Sequence, residues 1–489
     1  MLLLLLLAGL GAGLFSWYGL RSNSRMPVRI LLVAPPPDPD AAVSHYQARV
    51  LAMLFQDLLE IDPRFAVTLA SELPGAPAAL KPGQPWLLVK FSPRRQQEKL
   101  GFNLEWAWSG DIRKGLKTWP SRSIPEDSPP LSFREALDAL PLELRGDHLA
   151  RVIPARTRAF WNLVQASTYR LQNTQLAEAT RLARLVVEED EGCASGWFAL
   201  GSLIYRTLLD DPLQSHPEHF REAEACFRKG LALLPEHIRG TFVLAQLKTN
   251  AGDHREALSL LLARMKSSPR NPLLLTGIGY AARNAGLLEL ARRAADRRDR
   301  WAFTEHQPQA VDVLFLYLQE WERFEHTLRD QPGHLRNTVQ RFYRGYLALL
   351  RKDKAGAVAA FLAAESVPQG FPHYIRLARA FRLSAEGDLA QAREELKVLD
   401  AQRTGLRVPD GEFALRMAEA ACLAGALDSG MELAERAFAQ GFGAALWYRN
   451  SPFLAPLRTS PRWTSLMRHL DERQALLESR FPPGVMPSE

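Results

Sequence analysis

In this 489-residue chain, few side chains are spaced to do chemistry. Gly277-Ile278-Gly279-Tyr280-Ala281-Ala282 fits the loose dinucleotide pattern GxGxx[GA]. That chemistry needs a strand ahead of it, so that the backbone can turn a pyrophosphate onto a helix start. Here the glycine falls at a small-residue position of a repeating helix, and the motif reads as structural. His216, Glu218 and His219 stand near one another, but Pro217 interrupts them and the spacing is not the helical H-E-x-x-H of a zinc site. They read as a solvated loop. Glu188, Glu189, Asp190 and Glu191 form an acidic run that reads as a surface turn. Arg292, Arg293, Arg297, Arg298 and Arg300 give one helix a basic surface, partly balanced by Asp296 and Asp299, and read as a solvated outer face. Cys193, Cys226 and Cys422 are odd in number and widely spaced, which suits neither a disulfide framework nor a zinc site. They are expected to be small buried apolar side chains. With no phosphate-binding loop, nucleophile elbow or kinase signature, the sequence points away from an enzyme, and it implies no cofactor and no metal.

The elements that carry these residues differ along the chain. A composition of 47% hydrophobic and 24% charged residues belongs to a folded protein. The net charge of +7 suits an anionic membrane surface, acidic partners or nucleic acid. No reader motif accompanies it, so nucleic acid is not expected. Leu2 to Leu20 carries no charge and is close to the roughly 20 residues a helix needs to cross a bilayer. Trp17 and Tyr18 sit where amphipathic rings favour the interface and make a poor cleavage site. Residues 1–25 are therefore expected to be an uncleaved single-pass anchor in an inner (cytoplasmic) membrane. Gly9 and Gly13 form a GxxxG pair through which two anchors could pack as a homodimer. Arg21, Arg25 and Arg29 follow the span, which by the positive-inside rule keeps the rest of the chain cytoplasmic.

Residues 26–145 read as a small α+β domain. Val28 to Val33 is a short apolar run, and Ala41 to Glu60 carries apolar residues at helical spacing. Phe65 to Leu69 and Trp86 to Phe91 read as strands, with Pro74 to Pro85 as a loop between them. Phe102, Leu104, Trp106 and Trp108 alternate with Asn103, Glu105 and Ala107, the period of a strand buried on one face. A fifth strand is expected around Leu116 to Ser121, and Ser132 with Glu135 has the spacing of a capping box opening a helix. The order β-α-β-β-β-α, ahead of helical repeats, resembles the TolB-type amino-terminal domain of bacterial envelope and signalling proteins.

Internal periodicity is the strongest signal. Ala223, Ala257 and Ala291 lie 34 residues apart, as do Pro235 and Pro269, Gly252 and Gly286, and Ala245 and Gly279. Trp197, Leu200 and Gly201 supply a W-x2-L-G opening, and Ala223, Phe227 and Pro235 follow in the second helix. This pattern resembles the tetratricopeptide (TPR) repeat, two antiparallel helices per unit with small residues where they cross. About seven units are expected over residues 155–445, with a degenerate stretch from His306 to Pro332, then a capping helix and tail over 446–489. The fold class is thus mostly α: a TPR-like α-solenoid preceded by a small α+β domain and an N-terminal transmembrane helix.

The tail, with Leu433-Ala434-Glu435-Arg436-Ala437, Trp447, Ser451-Pro452-Phe453-Leu454 and Ser460-Pro461-Arg462-Trp463, resembles the closing repeat of a bacterial group. That group includes TPR-bearing serine/threonine kinases and membrane-anchored winged-helix activators. Their order of effector, span, TolB-like domain and repeats implies that the soluble part faces outward, against the arginines. The TPR resemblance implies a concave groove lined by Phe198, Ser202, Tyr205, Arg239, Phe242, Gln246, Thr249, Thr276, Tyr280 and Arg283. Ser202, Gln246 and Tyr280 stand where relatives that clamp a terminal carboxylate carry Asn, which disfavours a chaperone-tail adaptor. The expected function is a membrane-tethered scaffold binding protein partners in that groove. The alternative is an envelope sensory module acting on a separately encoded effector such as a kinase or transcription regulator.

Overall fold

A computed structural model describes residues 28–34, 44–70, 86–96, 99–109, 115–119, 124–125, 129–142, 148–210, 217–301, 312–329, 337–368, 370–404 and 410–488. The anchor expected over 1–25, the loop over 74–85 and His216 lie outside these. Among the described residues no helix is long and apolar enough to cross a membrane.

The first elements are β1 (Val28–Val33), α1 (His45–Glu60), β2 (Phe65–Ala70), β3 (Trp86–Gln96), β4 (Lys99–Trp108), β5 (Lys117–Trp119), β6 (Ile124–Pro125) and α2 (Pro129–Asp138). They form one sheet of order β2-β1-β3-β4-β5, with β6 on β4. β1 runs parallel to both β2 and β3, while β3–β4 and β4–β5 are antiparallel. Parallel neighbours need a crossover, and α1 supplies it between β1 and β2. The inner face carries Ile30, Leu32, Leu87, Val89, Phe91, Phe102 and Leu104, in the same core as Leu51 and Phe55 of α1. Leu31, Val33, Trp86 and Leu88 form a smaller cluster on the other face.

Two helix starts differ from expectation. α2 begins at Pro129, three residues before Ser132, whose Oγ is buried without a hydrogen-bond partner. Proline's fixed φ favours the first helical turn, so Pro129-Pro130 starts the helix before the serine can cap it. The capping box forms instead at Ser44 and Gln47, which the sequence reading passed over.

After a short α3 (Leu149–Val152), helices pair in succession: α4 (Thr157–Gln172) with α5 (Leu176–Glu189), α6 (Ala194–Asp210) with α7 (Pro217–Leu233), α8 (Ile238–Asn250) with α9 (His254–Met265), and α10 (Pro272–Ala285) with α11 (Leu288–Trp301). α12 (Val313–Tyr317) and α13 (Trp321–Thr327) are short, matching the degenerate stretch. Full pairs resume as α14 (Asn337–Leu350) with α15 (Lys354–Glu365), α16 (Pro372–Glu386) with α17 (Leu389–Thr404), and α18 (Gly411–Leu423) with α19 (Leu427–Ala439). α20 (Ala445–Asn450), a 3-10 turn and α21 (Pro461–Arg480) close the chain. Glycines sit where helices cross: a Cβ at Gly201 would stand 2.8 Å from the Phe227 ring, and one at Gly345 2.6 Å from Phe361. Small residues are required there for the backbones to approach.

The two regions share one core. Rings stack or meet edge-on from Phe55 of α1 to Phe91 (4.7 Å), Phe102 (4.8 Å), Phe133 of α2 (4.8 Å) and Phe160 of α4 (6.2 Å). α1 thus lies between the sheet and the first repeats. At the other end the chain returns on itself. The Gly443 amide donates to the Asn284 carbonyl at 2.7 Å, and His254 Nε2 lies 2.7 Å from the Gly441 carbonyl. Arg297 donates to the Pro487 carbonyl. The solenoid is folded closed, its carboxyl-terminal pairs resting on α8 to α11.

Candidate functional site

The first helix of each pair turns one side inward, and the ten candidate groove residues do lie along α6, α8 and α10. None of them is exposed. Phe198 (6% exposed) stacks on His237 at 4.3 Å and fills the space left by Gly230 and Gly240. Tyr205 and Tyr280 bracket Asn250, whose Nδ2 donates to the Tyr205 hydroxyl and whose Oδ1 accepts from the Tyr280 hydroxyl. Thr249 (3% exposed) and Thr276 satisfy their hydroxyls on the Ala245 and Pro272 carbonyls, one turn earlier. Ser202, Phe242, Gln246, Thr276 and Tyr280 are half-buried and keep part of their surface open.

The two arginines of the set have partners in the chain itself. Arg239 Nε donates to Asp57 of α1 at 3.0 Å, and its NH2 donates to Gln56 at 3.0 Å. His237, whose Nδ1 accepts from the Gly240 amide, presents Nε2 to Asp57 at 3.4 Å. Burial alone would raise the Asp57 carboxyl, but Arg239 and His237 together hold it below the usual range. One turn on, Glu60 accepts from Gln56 and Asn271 at 3.2 Å each, on the same oxygen, while its other oxygen is buried without a partner. Burial pushes its carboxyl up to about 7.

Arg283 reaches Glu412 of α18 at 2.7 Å. Burial alone would lower this guanidinium; Glu412 more than offsets that and raises it. Glu412 also accepts from the Tyr317 hydroxyl, and Arg416 donates to Tyr317 at 2.8 Å and to Tyr346. Arg416 and Glu419, both 0% exposed, pair directly, and Glu419 further accepts from Trp447 Nε1 and Ser451 Oγ. A buried ionic group is costly unless its bonds are filled. Here the network ties α10, α12, α14, α18 and α20 together, and Tyr317 explains how the degenerate stretch is anchored. Spacing along the sequence gave no hint of it, because its members come from five different helices.

Other sequence candidates settle as structure. Gly277 to Ala282 lies wholly within α10, where a Cβ at Gly277 would stand 2.8 Å from Leu261. Cys193, Cys226 and Cys422 are free and buried, with burial raising the thiols to about 12, 11 and 12. The acidic run and the basic helix are not simply solvated. Glu189 pairs with Arg158 and Glu191 with Lys229. Arg292 and Arg293 pair with Glu289, and Arg297, 5% exposed, holds the Pro269 and Pro487 carbonyls. Among the described residues no group of three or more His, Cys, Asp or Glu side chains is placed to hold a metal ion.

One signal was present in the sequence and not used. Trp161 and Trp197 lie 36 residues apart, and so do the doublets Tyr169-Arg170 and Tyr205-Arg206. These equivalent positions bring Arg170 and Arg206 near each other.

No family model matches this sequence, and no curated protein matches it. Among solved structures, one that it resembles is the crystal structure of the P58(IPK) TPR domain, at 12% identity and a TM-score of 0.20, covering 66% of this chain and 99% of that one. The TPR-like helical repeat stands on the chain's own paired helices and their glycine crossings.

Proposed function

We propose that this chain is a membrane-tethered scaffold that holds protein partners on its repeats. The observation that carries the reading is the stacked helix pairs, braced into one body by α1 on one side and α18 to α20 on the other. Solenoids of this kind offer large preformed surfaces, and preorganisation lowers the entropic cost of binding. The partner surface is the half-open strip of Ser202, Phe242, Gln246, Thr276 and Tyr280. Tyr205, Arg239 and Arg283 act beneath it, holding the chain's own elements. The tether is the uncharged Leu2 to Leu20 segment, which supplies the length a span needs.

A photo-crosslinking residue placed at Gln246 or Thr276 in cells tests this. Adducts at these positions but not at Arg255, exposed on α9, support the strip. Adducts at Arg255 alone contradict it. Fusions of alkaline phosphatase and of a fluorescent protein after Glu489 report the side of the membrane.

The sensory alternative draws support from the joint between Asp57, Glu60 and the repeats. A module that detects a signal needs its small domain coupled to its output surface, and this joint couples them. Ligand-induced change in crosslinking at Gln246 would favour this reading; crosslinking indifferent to envelope conditions would favour the plain scaffold.

A further inference from the structure

A guanidinium removed from water needs a counter-charge or full hydrogen bonding, and one left without either is strongly disfavoured. Among the described residues, four arginines gather where α1 meets α4 and α8, with α6 between them: Arg239 lies near both Arg49 and Arg170, and Arg206 near Arg170. Arg239 has its partner in Asp57. Arg206 lies over the ring of Phe371, 5.6 Å from its centroid. Arg49 of α1 and Arg170 of α4 are part-buried, and neither side chain has a hydrogen bond or ion pair with any described residue. Arg170 Nε is sealed from solvent with no acceptor. Burial, then repulsion from Arg239 and Arg206, pushes the Arg170 guanidinium down to about 10; burial and Arg239 lower Arg49. Of the nearby carboxyls, Asp57 attracts Arg170 but is hydrogen-bonded to Arg239, and the Glu60 carboxyl is pushed up to about 7.

We propose that Arg49 and Arg170, with Arg206 beside them, form a binding site for an oxyanion, a carboxylate or phosphate group entering between α1 and the first helices of the repeats. Guanidiniums suit this because their planar forks meet two oxygens at once. The source favoured here is an acidic segment of a protein partner, and in that respect the inference rests on the scaffold reading; the site itself stands on Arg49 and Arg170, which have no hydrogen-bond or ion-pair partner among the described residues.

The test uses the full chain, measured by calorimetry and thermal unfolding with two probes, inorganic pyrophosphate and a hexaglutamate peptide. Binding of either supports the site. A preference for the peptide points to an acidic segment, and a preference for pyrophosphate to a free anion. Arg170→Met should leave the unliganded unfolding temperature unchanged or raised, and should weaken probe binding at least tenfold. Arg49→Gln should weaken it similarly, and Arg170→Lys, which keeps the charge without the fork, by less. Absence of binding by both probes overturns the proposal. So does Arg170→Met lowering the unliganded unfolding temperature by several degrees with probe affinity intact, because that outcome makes Arg170 structural. Partner crosslinking at Gln246 is read separately, so a failed anion site and a failed scaffold are distinguishable.

Discussion

Arg239 of α8 and Asp57 of α1 are joined by a 3.0 Å hydrogen-bonded ion pair across 182 residues of sequence. This part of α8 is therefore covered by an element of the chain itself. Truncating one member of a buried pair leaves the other uncompensated, at about 3–5 kcal/mol. Arg239 keeps some solvent access, so Asp57→Ala is expected to cost about 3 kcal/mol, read from the shift in urea midpoint. A loss below about 1 kcal/mol would mean that the joint contributes little.

Gly286 and Gly387 offer a matched comparison. Both end helices with positive φ, +87° and +98°. A Cβ at Gly387 would meet nothing within 4 Å, whereas at Gly286 it would stand 2.0 Å from the Gly443 carbonyl oxygen. Gly387→Ala should cost only the left-handed strain, about 1–2 kcal/mol. Gly286→Ala must also push away the returning carboxyl-terminal segment, and is expected to cost at least about 2 kcal/mol more. Equal losses at the two sites, measured by chemical denaturation, would show that the segment does not rest there.

Two buried groups should give opposing pH dependences. Glu60 has a folded pKa raised to about 7 from 4.5, so its stabilisation is complete below pH 4.5 and is lost as pH rises to about 7. His254, bonded to Gly441, is lowered from 6.5 to about 4, so its contribution is present above pH 6.5 and is lost as pH falls toward 4. The two contributions are comparable in size, each on the order of a few kcal/mol. The two contributions should therefore oppose one another in this window. Glu60→Gln should unmask stability rising with pH, and His254→Gln stability falling with pH. A flat curve in both variants would contradict the two assignments.

The elements were legible in the sequence because their periods are local. β1 begins and ends at Val28 and Val33 as its apolar run does, and Gly201, Ala223 and Phe227 meet as the repeat pattern requires. Closure was not legible. The 34-residue period is the same whether a solenoid stays open or folds back, and the residues that decide it are distant partners such as Arg206 and Phe371. The placement of the ten candidate groove residues along α6, α8 and α10 follows from the repeat period. Their occupation by Asp57, Gln56 and Glu412 depends on which elements return, which no local pattern encodes. Ser44 and Gln47 were missed for a simpler reason: the expected helix began earlier, at Ala41.

Closure of the solenoid is the central claim, and Arg283 with Glu412 tests it most directly, since these two residues meet only if α18 rests on α10. Arg283→Met, Glu412→Gln and the double variant form a thermodynamic cycle measured by urea denaturation of the full chain. Residues in contact couple by about 0.5–3 kcal/mol, while distant ones add within about 0.5. The closed structure predicts a coupling above about 1 kcal/mol, with the double variant less damaged than the sum of the singles. Simple additivity would mean that the two helices do not meet and that the groove is open to partners along its whole length.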